Sequence, residues 1–422
     1  MIKADIVIGA NLGDEGKGLI TDFYASQSGT KALVVRHNSG PQAGHTVTLA
    51  DGRRHVFGHI GAGSFTGAQT YLSRHYACNP LLFRKEYLAL QKISFIPTIH
   101  VDSRAVLTTP YDMMINQMIE QRRGRNRHGS CGVGYGETIE RNLYREFSLR
   151  VRDIEDIEKF AQRLVTIRNE WLPRRLLALG IDKVPDEWAE RIESTEILAD
   201  YIDAAGFFMR TTKRCKGLPA TQQTHVIFEG AQGLLLDQDH EWFPHVTRSS
   251  TGIINALDIL DEAGIDEADV TYVTRSYLTR HGAGPMPSQT DGKPYPGIVD
   301  QTNSTNAFQG SFRLGLLEID RLAEAIRKDL ALTPSHMKLS AGLAVTCMDQ
   351  IEGEACYIEN GKVERSGKNA FLQKLMRETG ALFGYASYGP TRQTIQPVAA
   401  PQTCITQGEY NERYYESCVV CR

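Results

Sequence analysis

The stretch ADIVIGANLGDEGKGLITDFYA, residues 4 to 25, predicts a strand, a glycine-rich turn and a helix in succession. Ile6, Val7 and Ile8 form an apolar β-branched run that is typical of a buried strand, and the amphipathic run from Leu19 onward favours a helix. A glycine-rich turn ahead of a helix presents free backbone N–H groups and the positive end of the helix dipole at one point. The sequence therefore predicts an anion site in this turn.

The turn differs from a standard phosphate loop because it carries two acids. Lys17 supplies positive charge where a terminal phosphate would lie, but Asn11 and Gly18 replace the first glycine and the metal-binding hydroxyl of the Walker pattern. Asp14 and Glu15 would repel a phosphate unless a metal ion or a proton transfer requires them. The two acids therefore indicate chemistry beside a bound phosphate.

Length and composition bound the class of protein. The chain has 422 residues, 41% of them apolar and 23% charged, with a net charge of −3, which is ordinary for a soluble protein with a large core. No basic excess favours nucleic acid, and no apolar run approaches the roughly 18 residues of a membrane helix. The N-terminus lacks the shape of a signal peptide, and eight irregularly spaced cysteines are typical of reduced thiols. We therefore expect a cytoplasmic protein without nucleic-acid or membrane partners.

Strand and helix patterns alternate along the chain, which predicts an α/β fold with a mostly parallel central sheet flanked by helices. Further strands are predicted at 31–37, 226–233, 271–280, 342–349 and 382–387, and helices at 80–93, 111–122, 252–264, 314–330 and 367–379. Two hairpins are predicted, with turns at Asp51-Gly52 and Asn360-Gly361.

The domain organisation follows from where these patterns change. Residues 151–220 read as a helical insertion, and the pattern ends near Pro397. We expect one α/β domain over residues 1–397, which begins with the strand–loop–helix unit and includes the insertion and small hairpins. A C-terminal extension, residues 398–422, follows it. Cys418 and Cys421 in that extension lack the further ligands that a closed zinc site needs, so we expect free thiols.

Seven short motifs occur in one order and together resemble the adenylosuccinate synthetase family of purine-nucleotide ligases. They are GDEGKG (13–18), AGHT (43–46), FEGAQG (228–233), HVTRSS (245–250), TRHGAGPMP (279–287), TCMD (346–349) and SYGPTR (387–392). The resemblance implies that GTP phosphorylates the 6-oxygen of IMP and that the amine of L-aspartate displaces the phosphate to give adenylosuccinate. It also implies Mg²⁺ as cofactor and a homodimer.

The resemblance assigns roles at the reacting centre. Asp14 matches the family's aspartate that removes the N1 proton of the purine, and by the same match it ligates Mg²⁺ together with the backbone carbonyl of Gly44. His45 matches the histidine that hydrogen-bonds the 6-oxygen. Lys17 would neutralise the transferring phosphoryl group, and Gln232 would hold the base near N1 and O6.

The resemblance also implies three sets of binding residues. The purine nucleotide would contact Asp14, Glu15, Gly16, Lys17, Asn38, Gln42, Ala43, Gly44, His45, Ser130, Arg150, Gln232 and Thr247. GTP would contact Gly13, Glu15, Gly16, Lys17, Gly18, Gly44, His45, Thr46, Asp349, Ser387, Gly389 and Pro390. The amino acid would contact Thr305, Asn306 and Arg313. Asp349 favours GTP over ATP, because a carboxylate can accept from both N1–H and N2–H₂ of guanine.

Departures from the family pattern leave alternatives open. NSTNAFQGSFRLGLLEID (303–320) replaces the Arg-rich segment that binds aspartate, NSGPQAGH (38–45) replaces Q-G-G-H-N-A-G-H, and Cys347 stands where the family has a lysine. A ligase that acts on a guanine nucleotide such as dGMP, giving 2-amino-deoxyadenylosuccinate, therefore stays possible. So do ATP or dATP as donor and another amino acid. A non-catalytic guanine-nucleotide-binding protein is a further alternative, which the intact catalytic set disfavours.

Overall fold

The computed structural model describes residues 2–220, 222–299 and 312–399. Its strands are β1 (Lys3–Gly9), β2 (Ala32–Arg36), β3 (His45–Thr48), β4 (Arg54–Phe57), β5 (Gln69–Leu72), β6 (Ile99–Asp102), β7 (Lys213–Cys215), β8 (His225–Gly233), β9 (Glu267–Arg275), β10 (Leu278–His281), β11 (Phe312–Gly315), β12 (Leu317–Glu318), β13 (Lys338–Thr346), β14 (Ala355–Glu359), β15 (Lys362–Ser366), β16 (Phe383–Ser387) and β17 (Ile395–Val398). Its helices are α1 (Lys17–Ser28), α2 (Pro80–Lys92), α3 (Pro110–Arg123), α4 (Tyr135–Asn142), α5 (Ile157–Thr166), α6 (Leu172–Ala178), α7 (Asp186–Glu193), α8 (Thr195–Thr211), α9 (Ile254–Glu262), α10 (Ile319–Leu330) and α11 (Lys368–Thr379).

Ten of these strands form one central sheet in the order β17-β16-β13-β9-β1-β8-β2-β5-β6-β7. Every neighbouring pair is parallel except β17 with β16, which confirms the predicted mostly parallel sheet. β1 lies inside the sheet between β8 and β9, and its residues Ile6, Val7 and Ile8 are fully buried. Burial on both faces explains why this strand is a continuous apolar run rather than an alternating one.

The two predicted hairpins are present. β3 pairs antiparallel with β4 around Asp51-Gly52, and β14 pairs antiparallel with β15 around Asn360-Gly361. Asn360 and Gly361 both have positive φ, 48° and 72°, which is the backbone that a two-residue turn of this handedness needs.

Three predicted boundaries were wrong. Helix α10 begins at Ile319 rather than at 314, because residues 312–315 form β11, which pairs with β10. The predicted strand 271–280 is two strands, β9 and β10, in different sheets. Helix α1 begins at Lys17 rather than Leu19, directly after Gly16, whose φ of 94° marks the turn into the helix.

The helical insertion contains one strand of the central sheet. Residues 151–220 include helices α5 to α8, but β7 joins the sheet edge beside β6. The boundary predicted at residue 397 falls inside β17, and Cys418 and Cys421 lie outside the described residues. The single domain with its insertion and extension stays a prediction. Within the described ranges no helix is long and apolar enough to cross a membrane.

A buried acid joins α10 to the sheet. Asp329 accepts hydrogen bonds from the Ile253 backbone N–H at 3.1 Å and from the Tyr272 hydroxyl at 2.8 Å. Burial raises the pKa of Asp329 to about 6, although these two hydrogen bonds oppose the shift. Ionising this carboxyl group in the folded protein therefore costs stability.

We expect Asp329→Asn to change how stability depends on pH. The folded-state pKa lies about two units above the unfolded one, so the wild type loses about 2 kcal/mol relative to the variant as pH rises from 4 to 7. Asparagine keeps an acceptor for the Ile253 N–H. Urea unfolding of both proteins at several pH values measures this, with the exposed Asp261→Asn as control. A wild-type minus variant difference that does not vary with pH would contradict the assignment.

Candidate active site

The carboxyl ends of the central strands open onto one large cavity. Its volume is about 1180 Å³, and the loop after β1, the loop before β3 and the loop after β8 contribute to its lining. In open parallel sheets ligands bind at this edge. Fourteen of the predicted site residues line it: Gly13, Asp14, Glu15, Gly16, Lys17, Gly18, Gln42, Ala43, Gly44, His45, Thr46, Ser130, Gln232 and Thr247.

The loop after β1 is held in a shape that few sequences can adopt. Asp14 has a φ of 58° and Gly16 one of 94°. A Cβ on Gly16 would lie 2.9 Å from the Thr346 side chain, whose hydroxyl donates to the Glu15 carbonyl at 2.8 Å. Arg275 donates to the Asp14 carbonyl. The ends of β9 and β13 therefore fix the backbone that carries both acids.

The two acids of the loop occupy different environments. Glu15 is buried beneath the loop, accepts from the Asn11 N–H, and holds Oε2 3.6 Å from Lys17 Nζ. Burial raises its pKa to about 7, although Lys17 opposes the shift. Asp14 is partly exposed in the cavity, and its Oδ2 lies 3.3 Å from Nε2 of His281. Glu15 therefore lies beside Lys17, while the Asp14 carboxylate is accessible to a ligand in the cavity.

His45 belongs to a buried charged cluster. Its Nδ1 lies 2.6 Å from Glu229 Oε1, and Glu229 Oε2 lies 3.0 Å from Arg36 Nη1 and accepts from the Ala62 N–H at 3.1 Å. Burial and then Arg36 lower the pKa of His45 to about 4, so the imidazole is neutral in this state. Burial opposes ionisation of Glu229, but His45 and Arg36 lower its pKa to about 2. Nδ1 also lies 2.6 Å from Arg36 Nη1, so this nitrogen faces the buried Glu229–Arg36 pair. Nε2 faces the cavity and has no hydrogen-bond partner among the described residues.

Gln232 owes its position to an irregularity in the sheet. Between the pairs Val7↔Glu229 and Gly9↔Gly233, β1 advances two residues while β8 advances four. The extra residues bulge toward the loop after β1, and Gln232 has a positive φ of 66°. Such bulges re-aim side chains next to binding sites.

Asn38 lies beside this bulge rather than on the cavity. It is buried, and its amide accepts from the Ala231 N–H at 2.8 Å and donates to the carbonyls of Ala231 and Ser250. These bonds use the polar groups of the side chain, so Asn38 holds the loop that carries Gln232. That Asn38 contacts the nucleotide stays a prediction.

Several other predicted residues lie away from the cavity. Arg150 donates to the Arg104 carbonyl at 2.6 Å, and Arg313 donates to the Gly284 carbonyl at 2.8 Å, and neither lines the cavity. Thr305 and Asn306 lie outside the described residues.

The residues predicted for the base of GTP form a separate group at the same sheet edge. Asp349 is exposed in the turn after β13, and Ser387 ends the neighbouring β16, where its hydroxyl donates to the Gly389 carbonyl at 2.7 Å. Pro390 follows and is exposed. These residues lie beyond the lining of the large cavity, next to one another at adjacent strand ends.

Three residues near the reacting groups were missed from the sequence. Glu229 and Arg36 lie opposite each other in the β2–β8 register, and each is a charged residue directly after an apolar run of its strand. His281 lies within the quoted motif TRHGAGPMP. A charged residue directly after an apolar run could have indicated Glu229 and Arg36 from the sequence. The contact of His281 with Asp14 could be recognised only from the three-dimensional structure.

Comparison with known proteins gives a consistent result. The family model for adenylosuccinate synthetase matches residues 6–339. The chain is 31% identical over 365 residues to an adenylosuccinate synthetase of Xylella fastidiosa strain M12, covering 84% of this chain and 79% of that protein. It is 30% identical over 359 residues to the enzyme of Desulfosudis oleivorans, covering 82% and 78%.

Two solved structures share the fold. Fully ligated adenylosuccinate synthetase from Plasmodium falciparum superposes with a TM-score of 0.68 at 17% identity, over 93% of this chain and 98% of that one. Succinoaminodeoxyadenylate synthetase of cyanophage S-2L, bound to dGMP and to dATP as an energy donor, superposes with a TM-score of 0.57 at 15% identity, over 99% of both chains. With the family model over most of the chain and relatives at about a third identity, this chain belongs to the adenylosuccinate synthetase family of carbon–nitrogen ligases.

Proposed function

We propose that the protein makes adenylosuccinate from IMP, L-aspartate and GTP. The observation that carries this proposal is the partly exposed Asp14 carboxylate inside a loop that also holds Lys17, with His45 on the same cavity. A protein that only binds nucleotides has no need of an acid at this position. Family membership supports the same reaction.

The first step needs a base. The 6-oxygen of a purine lactam is a poor nucleophile until N1 loses its proton, and Asp14 is the exposed carboxylate available to accept it. The activated oxygen then attacks the terminal phosphorus of the triphosphate, and the nucleoside diphosphate leaves. Lys17 lies at the start of α1, where its charge and the helix dipole both favour the transferring phosphoryl group.

His45 assists at the 6-oxygen through its contact with Glu229. In the imidazolium form, Nδ1–H donates to Glu229 and Nε2–H donates to the 6-oxygen. Glu229 is the counter-charge that stabilises that form as negative charge develops on the substrate. Arg36 keeps Glu229 ionised for this purpose. The aspartate amine finally attacks C6 and the phosphate leaves.

The residues of the cavity fit a magnesium ion held mainly by substrate phosphates. Mg²⁺ usually takes one or two protein oxygens together with phosphate oxygens and water. Asp14 and the Gly44 carbonyl are such oxygens on the cavity wall, and no group of three or more ligating side chains occurs among the described residues. When bound, Mg²⁺ would supply charge neutralisation for the phosphates.

The remaining assignments rest on family membership and on the sequence. GTP is favoured as donor because Asp349 can accept both donors of a guanine base, and Arg313 is the described cation assigned to the amino acid. We also propose a cytoplasmic homodimer without nucleic-acid or membrane partners. The fold likeness to the cyanophage enzyme supports dGMP as an alternative acceptor to test.

The product assay tests the proposed reaction. We expect adenylosuccinate and phosphate from IMP, GTP and L-aspartate with Mg²⁺, identified by mass spectrometry. Parallel reactions replace IMP with GMP or dGMP, GTP with ATP or dATP, and aspartate with a panel of amino acids. Absence of adduct and of phosphate release in every combination would rule out a ligase. Product from dGMP but not from IMP would establish the alternative acceptor.

Asp14→Asn tests the base. We expect kcat to fall by at least about 100-fold, because an amide cannot accept the N1 proton, while the dissociation constants of the nucleotides change little. Initial rates and isothermal titration calorimetry measure the two effects. Asp200→Asn, at an exposed ion pair on α8, is the control and should keep full activity. Normal turnover of Asp14→Asn would remove this residue as the base.

Glu229→Gln tests the buried cluster. The variant leaves the Arg36 guanidinium buried without its partner, so we expect about 3–5 kcal/mol of lost stability together with a lower kcat. Denaturant unfolding measures the stability, and the exposed Glu267→Gln should cost less than about 1 kcal/mol. Equal losses in the free energy of unfolding of the two variants would show that the buried cluster stabilises the protein no more than an exposed ion pair does.

A further inference from the structure

In the proposed function, the Asp14 carboxylate faces N1 of the acceptor purine. The His281 ring lies directly beside that carboxylate. Nε2 of His281 lies 3.3 Å from Asp14 Oδ2, and both residues line the large cavity. The His281 ring therefore occupies space directly beside Oδ2, whereas Oδ1 has no such neighbour among the contacts of this pair. This position of the ring bears on whether a purine with a 2-amino group can bind beside Asp14.

Purine bases differ in how many donors they present at this edge. Hypoxanthine presents N1–H alone, whereas guanine presents N1–H and the adjacent N2–H₂, a pair that matches both oxygens of one carboxylate. A carboxylate with a ring packed beside one of its oxygens has room for the single donor at the other oxygen. The second donor of guanine would meet the His281 ring at Oδ2 and would have to displace it or stay unpaired.

We propose that His281 is a specificity-determining residue that selects a 6-oxopurine nucleotide without a 2-amino group over a guanine nucleotide. The inference rests on the proposed function, in which Asp14 faces N1 of the acceptor. It narrows the acceptor to the hypoxanthine class. It assigns the selection to a side chain outside the phosphate-binding loop.

The fold holds His281 in this position. It is the last residue of β10 and lies opposite Phe312 of β11 in the antiparallel register. The two rings pack with centroids 4.7 Å apart, and the His281 side chain is 18% exposed. The backbone beneath Asp14 is fixed as well, through the bond from Arg275 to its carbonyl. Moving the His281 ring to admit a 2-amino group therefore disrupts its packing against Phe312.

The size of the effect follows from an unmade hydrogen bond. A buried donor left without its acceptor costs about 1–3 kcal/mol, which corresponds to about 5- to 150-fold discrimination. A site that rejects a substrate in this way depends on one side chain, so shortening that side chain should relax the selection for the guanine nucleotide.

The test compares two acceptors in the wild type, His281→Ala and His281→Gln. The quantity measured is kcat/KM for GMP divided by kcat/KM for IMP, with the triphosphate, Mg²⁺ and aspartate held constant. We expect this ratio to rise about tenfold or more in His281→Ala and by less in His281→Gln, which keeps an N–H donor. A general loss of structure lowers both values and leaves the ratio unchanged.

Controls separate the possible failures. His336→Ala removes an exposed histidine that lies 3.1 Å from Asp261, and it should leave the ratio as in the wild type. The dissociation constants of IMP and GMP, measured by calorimetry without triphosphate, give the same comparison without turnover. Wild-type protein that forms no product from IMP would refute the proposed function, whereas the binding ratio still tests His281. A ratio within twofold of wild type in both His281 variants, by rates and by binding, would overturn the inference.

Discussion

The buried Glu229 carboxylate is the interaction on which the geometry of the site depends. It joins three segments: Arg36 at the end of β2, the Ala62 N–H, and His45 at the start of β3. A carboxylate without exposure to water is tolerable only when cations and N–H groups surround it, and here both oxygens are engaged. Because Glu229 itself belongs to β8, next to β1, the same contacts set the distance between the His45 side of the cavity and the phosphate loop.

Glu15 and Asp14 are neighbours in the chain but lie in different environments at the end of β1. Glu15 is buried with Lys17 and burial raises its pKa to about 7, so near neutral pH it offsets only part of the lysine charge. Asp14, one residue earlier, has a left-handed backbone that turns its side chain to the other side, toward His281. The two carboxylates of the loop therefore differ in exposure, since Glu15 is buried beside Lys17 and Asp14 is partly exposed on the cavity. The left-handed backbone at Asp14 directs the two neighbouring carboxylates to different sides of the loop.

The strand, the loop, the helix and the parallel sheet could be predicted because each has a local cause. A doubly buried strand must be continuously apolar, and a turn with positive φ requires glycine or a residue such as Asp14. The boundary errors came from segments in which a tertiary partner overrides local pattern. Leu314 and Leu317 have helical spacing with the residues that follow, yet pairing with β10 and β14 makes their segment extended.

The same distinction explains the candidate site. Residues of the phosphate loop and of AGHT line the cavity, in keeping with the rule that ligands bind at the carboxyl ends of the strands of a parallel sheet. Asn38 and Arg150 could not be assigned this way, since a polar side chain near a site serves equally well to tie backbone segments together, as both do.

Substrate choice adds a requirement that the phosphate loop alone cannot meet. Asp14 can accept a proton from N1 of either hypoxanthine or guanine, so the base that activates the oxygen does not discriminate between them. Discrimination must come from whatever adjoins that carboxylate, and the residue that adjoins it is His281, carried by a hairpin outside the central sheet. The hairpin β10–β11 is separate from the strands that carry the phosphate loop, His45 and Gln232. The fold thus allows the acceptor edge to change by substitution in one small element while the reacting groups stay in place.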